Sequence, residues 1–410
     1  MSARAPVVSP PLPGGLSTVE LVAMVAALMS LNALAIDVML PAMGAVAADL
    51  GVRSANDQQL VIVAYVLGFG FPQLVFGPVA DRYGRRPALL VALVGYTVAG
   101  FACMAAPSFE MLLALRFLHG VFAAGCRVVA VTLVRDLFAG RGMAKVMSLV
   151  MTVFMLVPII APAIGQGILL VAPWRWCFGV LGIAGVLMLG WTMVRLPETL
   201  HATQRQPLGL RQTLGAYAAV LRSRPTFGYM LGSGIIFGAL FAFLSASEQI
   251  FREVFGRGDT FALWFAAVAL VLALTNFANS RLVTRFGMRR LSHLALVGFT
   301  GFAALLLVLT ALLGESFALF LPLFAICFAF FGLIGANFNA LAMEPLGRIA
   351  GTASAAYGFA TTTLSAVLGG LIGRAYDGST QPLMLGFVGL GLASLLAVAV
   401  TERGRLFRSA

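Results

Sequence analysis

Two side chains of opposite charge stand inside long apolar stretches of this 410-residue chain: Asp37, in LNALAIDVMLPAM, and Arg116, in LLALRFLHGVFAAG. An ionised group in hydrocarbon is costly, so it pairs, faces a cavity or changes protonation. Burial favours the neutral form of an acid, and a nearby guanidinium favours its anion. A carboxylate balanced between the two can take up a proton on one side of a barrier and release it on the other. The chemistry on offer is therefore proton transfer, with Asp37 as the coupling acid and Arg116 as the cation that responds to its charge. Counted along their helices at ~1.5 Å per residue, the two fall at compatible depth. A competing reading makes Asp37 a helix-end residue in a hydrated vestibule.

The segment holding Arg116 carries a second cation, Arg127, eleven residues further on. That spacing is close to three helical turns, so both share one face with His119, Gly120 and Ala123 between them. Arg127 suits three roles: contact with a substrate, pairing with a carboxylate such as Glu344, or snorkelling to the headgroups. His119 suits either a proton relay or a structural hydrogen bond. HExxH, GxSxG and GxxxxGK[ST] motifs are absent, which argues against a metalloenzyme, a serine hydrolase and a nucleotide-driven pump. Cys103, Cys126, Cys177 and Cys327 lie in apolar runs without a CxxC pair and read as small core residues. No catalytic residue, metal or cofactor is expected, and a proton gradient would supply the energy.

The elements that must position these groups follow from composition. Hydrophobic residues make up 60% of the chain and charged residues 10%. Soluble domains run nearer 45–50% and 25%, about 2.5 times the charge fraction found here. Too little polar surface remains for a water-facing exterior, which leaves an all-α membrane protein. Spanning helices need about 20 apolar residues each. Twelve runs qualify: 18–40, 58–79, 87–106, 109–134, 146–171, 176–195, 227–247, 260–282, 291–313, 317–341, 350–373 and 382–401. With an even number, both termini share one side. Twenty Arg and Lys fall on that side against five on the other, which predicts cytoplasmic termini. The same bias explains the net charge of +12 without nucleic acid. Residues 1–17 read as a disordered tail, 18–195 as one six-helix bundle, 196–225 as a cytoplasmic linker, 226–402 as a second bundle and 403–410 as a C-terminal tail.

The halves repeat. GPVADRYGRRP (77–87) and SRLVTRFGMRR (280–290) align at an offset of 203 residues, matching Arg82 with Arg285, Gly84 with Gly287 and Arg86 with Arg289. The second copy has Thr284 where the first has Asp81. Such duplication implies two bundles related by an axis along the membrane normal. Gly77, Asp81, Arg82, Gly84, Arg85 and Arg86 match G-x-x-x-D-R-x-G-R-R/K, and the chain on this ground resembles the major facilitator superfamily. RFLHGVFAAG in span four, DVMLPAM ending span one, PIIAPAIGQG (158–167), VRDLF (134–138) and SGIIFGALFAFLSAS (233–247) resemble the Bcr/CflA drug–proton antiporters. Ala161 and Gln166 depart from the antiporter motif G-P-x-x-G-G of span five.

The resemblance implies twelve helices in two pseudo-symmetric six-helix bundles and a multi-pass monomer in the bacterial inner membrane. It implies a cytoplasmic gate at the loop motif: Gly77 packing closely, Gly84 turning, and Asp81 and Arg85 in a charge network, with Asp81 able to cap the start of span eleven. It also implies proton-driven export of chloramphenicol- or bicyclomycin-like antimicrobials, with uptake of a metabolite as the alternative. Helical spacing proposes the substrate-facing residues: Asn32, Tyr65, Phe69, His119 and Arg127 in the first half, and Phe237, Phe241, Asn276, Asn337, Tyr357 and Thr361 in the second. An aromatic pocket with a few polar groups suits varied amphipathic drugs. The partners expected are thus a small drug, protons and the lipid bilayer.

Overall fold

The computed structural model describes residues 15–138, 140–200 and 210–407. Among them every regular element is helical. Eleven helices are long and apolar enough to cross a membrane, and a bent pair makes twelve. We number them spans one to twelve in chain order. Span one is Thr18–Asp37, span two Leu60–Gly70 with Gln73–Tyr83, span three Arg85–Met104, span four Phe109–Leu137, span five Gly140–Phe154 with Val157–Val171, and span six Arg175–Arg195. Span seven is Arg224–Gln249, span eight Phe261–Phe286, span nine Met288–Leu313, span ten Phe317–Gly332 with Gly335–Met343, span eleven Ala350–Arg374 and span twelve Gln381–Thr401. The 1–17 tail falls almost wholly outside the described residues. Within the linker, Leu210–Arg222 is a helix.

Several expected runs are interrupted, and proline explains three of the interruptions. Span two bends by 41° at Phe71–Pro72, and span five breaks just before Pro158. Span one stops at Asp37 because the residue four further on is Pro41, which has no N–H to give to the Asp37 carbonyl. Span ten breaks between Gly332 and Gly335 without proline.

Each half packs the same way. Span one lies against spans four, five and six, span two against span four, and span three against spans four and six. In the second half span seven lies against spans ten, eleven and twelve, span eight against span ten, and span nine against spans ten and twelve. Span two meets span eleven across the halves, and span five meets span eight, so the cross-half contacts are also related by the repeat. The turns repeat too: Gly84 has φ 108° and ψ 156°, and Gly287 has φ 75° and ψ 155°. Only glycine adopts these left-handed conformations without strain.

Candidate functional site

Asp37 is buried, 4% exposed, at the end of span one. The expected ion pair with Arg116 is not formed. Arg116 is fully buried, and its donors are already used: Nη2 donates to the Ala35 carbonyl at 3.0 Å, Nε to the Val61 carbonyl at 3.3 Å, and Nη1 lies 3.3 Å from His119 Nδ1. Its face stacks on the Tyr65 ring at 4.3 Å and lies 5.5 Å from that of Phe178. Main-chain dipoles and π-faces thus do what a carboxylate was expected to do. Arg116 instead cross-links spans one, two and four, gripping span one two residues before Asp37. Among the described residues Asp37 itself has no cation in salt-bridge range.

His119 belongs to this cluster. Its ring lies 4.2 Å from that of Tyr96 and 5.5 Å from that of Tyr65, and its Nε2 is buried without a hydrogen-bond partner. The Tyr65 hydroxyl donates to Asn32 Oδ1 at 3.0 Å, and Tyr65 stacks on Phe69 at 6.4 Å. Arg127, one face with Arg116, is half-buried with its guanidinium 5.7 Å from the Phe69 ring. Its suggested partner Glu344 instead bonds Arg289 at 3.2 Å. Spans two and four meet this closely because Gly68 faces the Phe117 carbonyl and Gly120 faces the Tyr65 carbonyl.

In the second half the expected polar residues mostly spend their groups on structure. Asn337 Nδ2 donates to Asn279 Oδ1 at 2.8 Å and to the Leu333 carbonyl at 2.7 Å, tying span ten to span eight. Asn276 and Thr361 bond carbonyls of their own helices, at Leu272 and Tyr357. Phe237 packs on Phe331 at 5.1 Å, and Phe241 lies on Gly369. Tyr357 is half-buried and shares a 2.5 Å hydrogen bond with Ser233. Gln73 Nε2 bonds the Phe69 carbonyl of its own span at 3.2 Å and, across the halves, Thr362 Oγ1 at 3.5 Å, and its Oε1 lies against Gly358.

At the face that carries the termini, Arg85 is 3% exposed and bonds Asp81 at 2.5 Å and Asp136 at 2.7 Å. Asp136, in the VRDLF segment, had no role in the sequence reading. Glu198, at the start of the linker, accepts from the main-chain N–H groups of Arg85 at 3.0 Å and Arg86 at 3.3 Å, and Arg86 Nη2 donates to the Met193 carbonyl. Arg82 lies in the last turn of span two, and Tyr83 beside it is exposed. Gly77 is corrected: a Cβ there would meet nothing within 4 Å, so it does not serve close packing. The side chains at the start of span eleven, which Asp81 was expected to cap, lie outside those described.

At the opposite face a clasp joins the halves. Asn56 Nδ2 donates to the carbonyls of Arg374 at 2.9 Å and Tyr376 at 2.6 Å. Gln59 Nε2 donates to Gln249 Oε1 at 2.8 Å and the Gly373 carbonyl at 2.9 Å, and Arg374 pairs with Asp57 at 2.9 Å. Gln166, where the motif has glycine, donates to the Asp259 carbonyl and accepts from the Ala262 N–H at 3.2 Å. Sequence reading missed this clasp; its one signal is a run of polar side chains at the mouth of an apolar span.

Two six-helix halves, a shared loop signature and cross-half contacts related by the same repeat agree with one known family. The profile of the Major Facilitator Superfamily matches residues 25–370. The chain belongs to the Major Facilitator Superfamily. It is a multi-pass membrane transporter rather than an enzyme. This superfamily member is 31% identical over 364 residues to the "Uncharacterized MFS-type transporter YdgK" of Bacillus subtilis, covering 88% of this chain and 90% of that one. It is 31% identical over 367 residues to the "Bicyclomycin resistance protein homolog" of Haemophilus influenzae, covering 88% and 91%. The fold is similar to the partially occluded inward-open conformation of the xylose transporter XylE from E. coli, with TM-score 0.72, 15% identity and coverage of 93% and 98%.

Proposed function

We propose that this superfamily member is a proton-coupled antiporter exporting small amphipathic antimicrobials across a bacterial inner membrane, with both termini cytoplasmic. The observation that carries the proposal is Asp37, a buried carboxylate without a guanidinium upon it, at a proline-made helix end. The bicyclomycin resistance homolog supports the drug-export reading by its printed name. Asp37 takes a proton when the pathway opens on the loop side and yields it when the terminal side opens. Arg116 holds spans one, two and four in register, so that a change at Asp37 moves all three together. The energy is sufficient. One charge crossing 100 mV supplies about 2.3 kcal/mol. Each clasp hydrogen bond contributes about 0.5–1.5 kcal/mol net, since water replaces it on opening. A proton therefore weighs as much as two or three of those bonds, enough to tip the halves between openings.

Everted vesicles test this. With an acidified lumen, chloramphenicol or bicyclomycin addition should release protons through the wild-type chain, and Asp37→Asn should abolish release while the protein remains folded. Equal proton release from the Asn variant would remove Asp37 from coupling. In a pump-deficient host, drug sensitivity above the empty-vector control would favour uptake over export.

A further inference from the structure

Buried Glu248 is answered at 2.7 Å by Arg252, which is itself 40% exposed. Arg116 is saturated by carbonyls and aromatic faces. Asp37 and Arg127 remain, and no ion pair joins them among the described residues. Arg127 then stands as a lone guanidinium, half-buried on the face of span four that it shares with buried Arg116. Among the described residues it has no carboxylate in salt-bridge range, and its guanidinium lies over the Phe69 ring. A guanidinium partly withdrawn from water without an anion is unfavourable, and a cation–π contact offsets only part of that. Its fork of donors suits a planar, bidentate acceptor.

What lies beside Arg127 limits the shape of that acceptor. Phe69 stacks on Tyr65, and Gln73 bridges from the Phe69 carbonyl to span eleven next to Tyr357. A charged end at Arg127 would thus adjoin an aromatic wall followed by a few neutral polar groups, with a second aromatic on the opposite half.

We infer that Arg127 is an anion-binding residue, and that the preferred substrates are amphipathic organic acids: a carboxylate or similarly delocalised anion on an aromatic body. The inference rests on the export reading above, of which it names the substrate class. It also gives Arg127 a place in the cycle. The anion is held once Asp37 has yielded its proton on the terminal side, and its outward release adds to the positive charge that the proton carries inward, so the membrane potential favours the exchange.

The test uses a pair matched in shape and different in charge, 2-naphthoate and 2-naphthamide. Binding to the purified full chain in neutral detergent is followed by quenching of intrinsic fluorescence. The wild type should bind the acid about 10-fold or more tightly than the amide, the scale of one charge-assisted bidentate contact. Arg127→Gln should abolish the preference of acid over amide, and Arg127→Lys should keep part of it. Equal binding of acid and amide by the wild type, or a preference that survives Arg127→Gln, overturns the inference. Asp37→Asn separates the two proposals: loss of proton release with the acid preference intact supports both, whereas proton release by the wild type without any acid preference refutes only this one. Added phosphatidylglycerol that competes with naphthoate at Arg127 would make the occupant a lipid headgroup and overturn the substrate assignment.

Discussion

Spans two and four cross through a reciprocal pair of glycines, and adding a methyl group to either should separate them. A Cβ on Gly68 would lie 2.0 Å from the Phe117 carbonyl oxygen, and one on Gly120 would lie 2.0 Å from the Tyr65 carbonyl oxygen. Ordinary C···O contacts begin near about 3.3 Å, so each alanine demands about 1.3 Å of movement between two backbones. No side chain can turn aside to supply it. Overpacking of this kind costs about 1–3 kcal/mol. For a half of this size that lowers the melting temperature by about 2–10 °C. The same movement relieves both clashes, so the double variant should cost little more than the worse single, a coupling of about 1–2 kcal/mol. Melting of the four detergent-purified proteins gives the cycle. Gly77→Ala is the control, because nothing lies within 4 Å of its Cβ and alanine is the better helix former. Neutral single variants, or a double variant equal to their sum, would refute the close crossing. The separation also draws Tyr65 away from Arg116 and Phe69 away from Arg127, so acid binding should fall in step with stability.

Gln59→Ala removes two cross-half hydrogen bonds. At about 1 kcal/mol each, their loss should favour opening at the loop side by about 2 kcal/mol, roughly 30-fold. Faster thiol labelling of Ser245→Cys, in a background lacking the four native cysteines, would report it. Gln166→Gly restores the motif glycine and should act in the same direction by the same assay, since it loses the bonds to Asp259 and Ala262. Asp136→Asn leaves buried Arg85 to Asp81 alone and should lower the melting temperature more than Asp57→Asn, which breaks the more exposed pair with Arg374. Glu402, just beyond span twelve, lies below the usual carboxylate range: burial pushes it up, but hydrogen bonds from Tyr229 and Arg289 outweigh burial. A depressed folded value adds stability above the unfolded value of 4.5 that is lost as pH falls beneath it, so Glu402→Gln should flatten the acid limb of melting temperature against pH.

The number of helices, the duplication and the turns at Gly84 and Gly287 were legible in the residues. Hydropathy over the length of one helix is a local sum, and a positive φ belongs to a single glycine. Pro72 and Pro158 could also have been read as breaks, because a missing N–H is local too. Asp37 and the Arg116–Arg127 stripe were legible as anomalies, since charge in an apolar run needs a reason whatever the fold. What those groups touch was not legible. A guanidinium is satisfied equally by a carboxylate or by carbonyls and a ring, and only the arrangement of spans one, two and four decides that Arg116 takes the second. The clasp depends on the fold in the same way. Asn56 reaches the Tyr376 carbonyl across 320 residues of sequence. Main-chain carbonyls are alike in every residue, so composition cannot mark which one a side chain will meet. That is decided when two helices, each stable in lipid by itself, come to lie side by side.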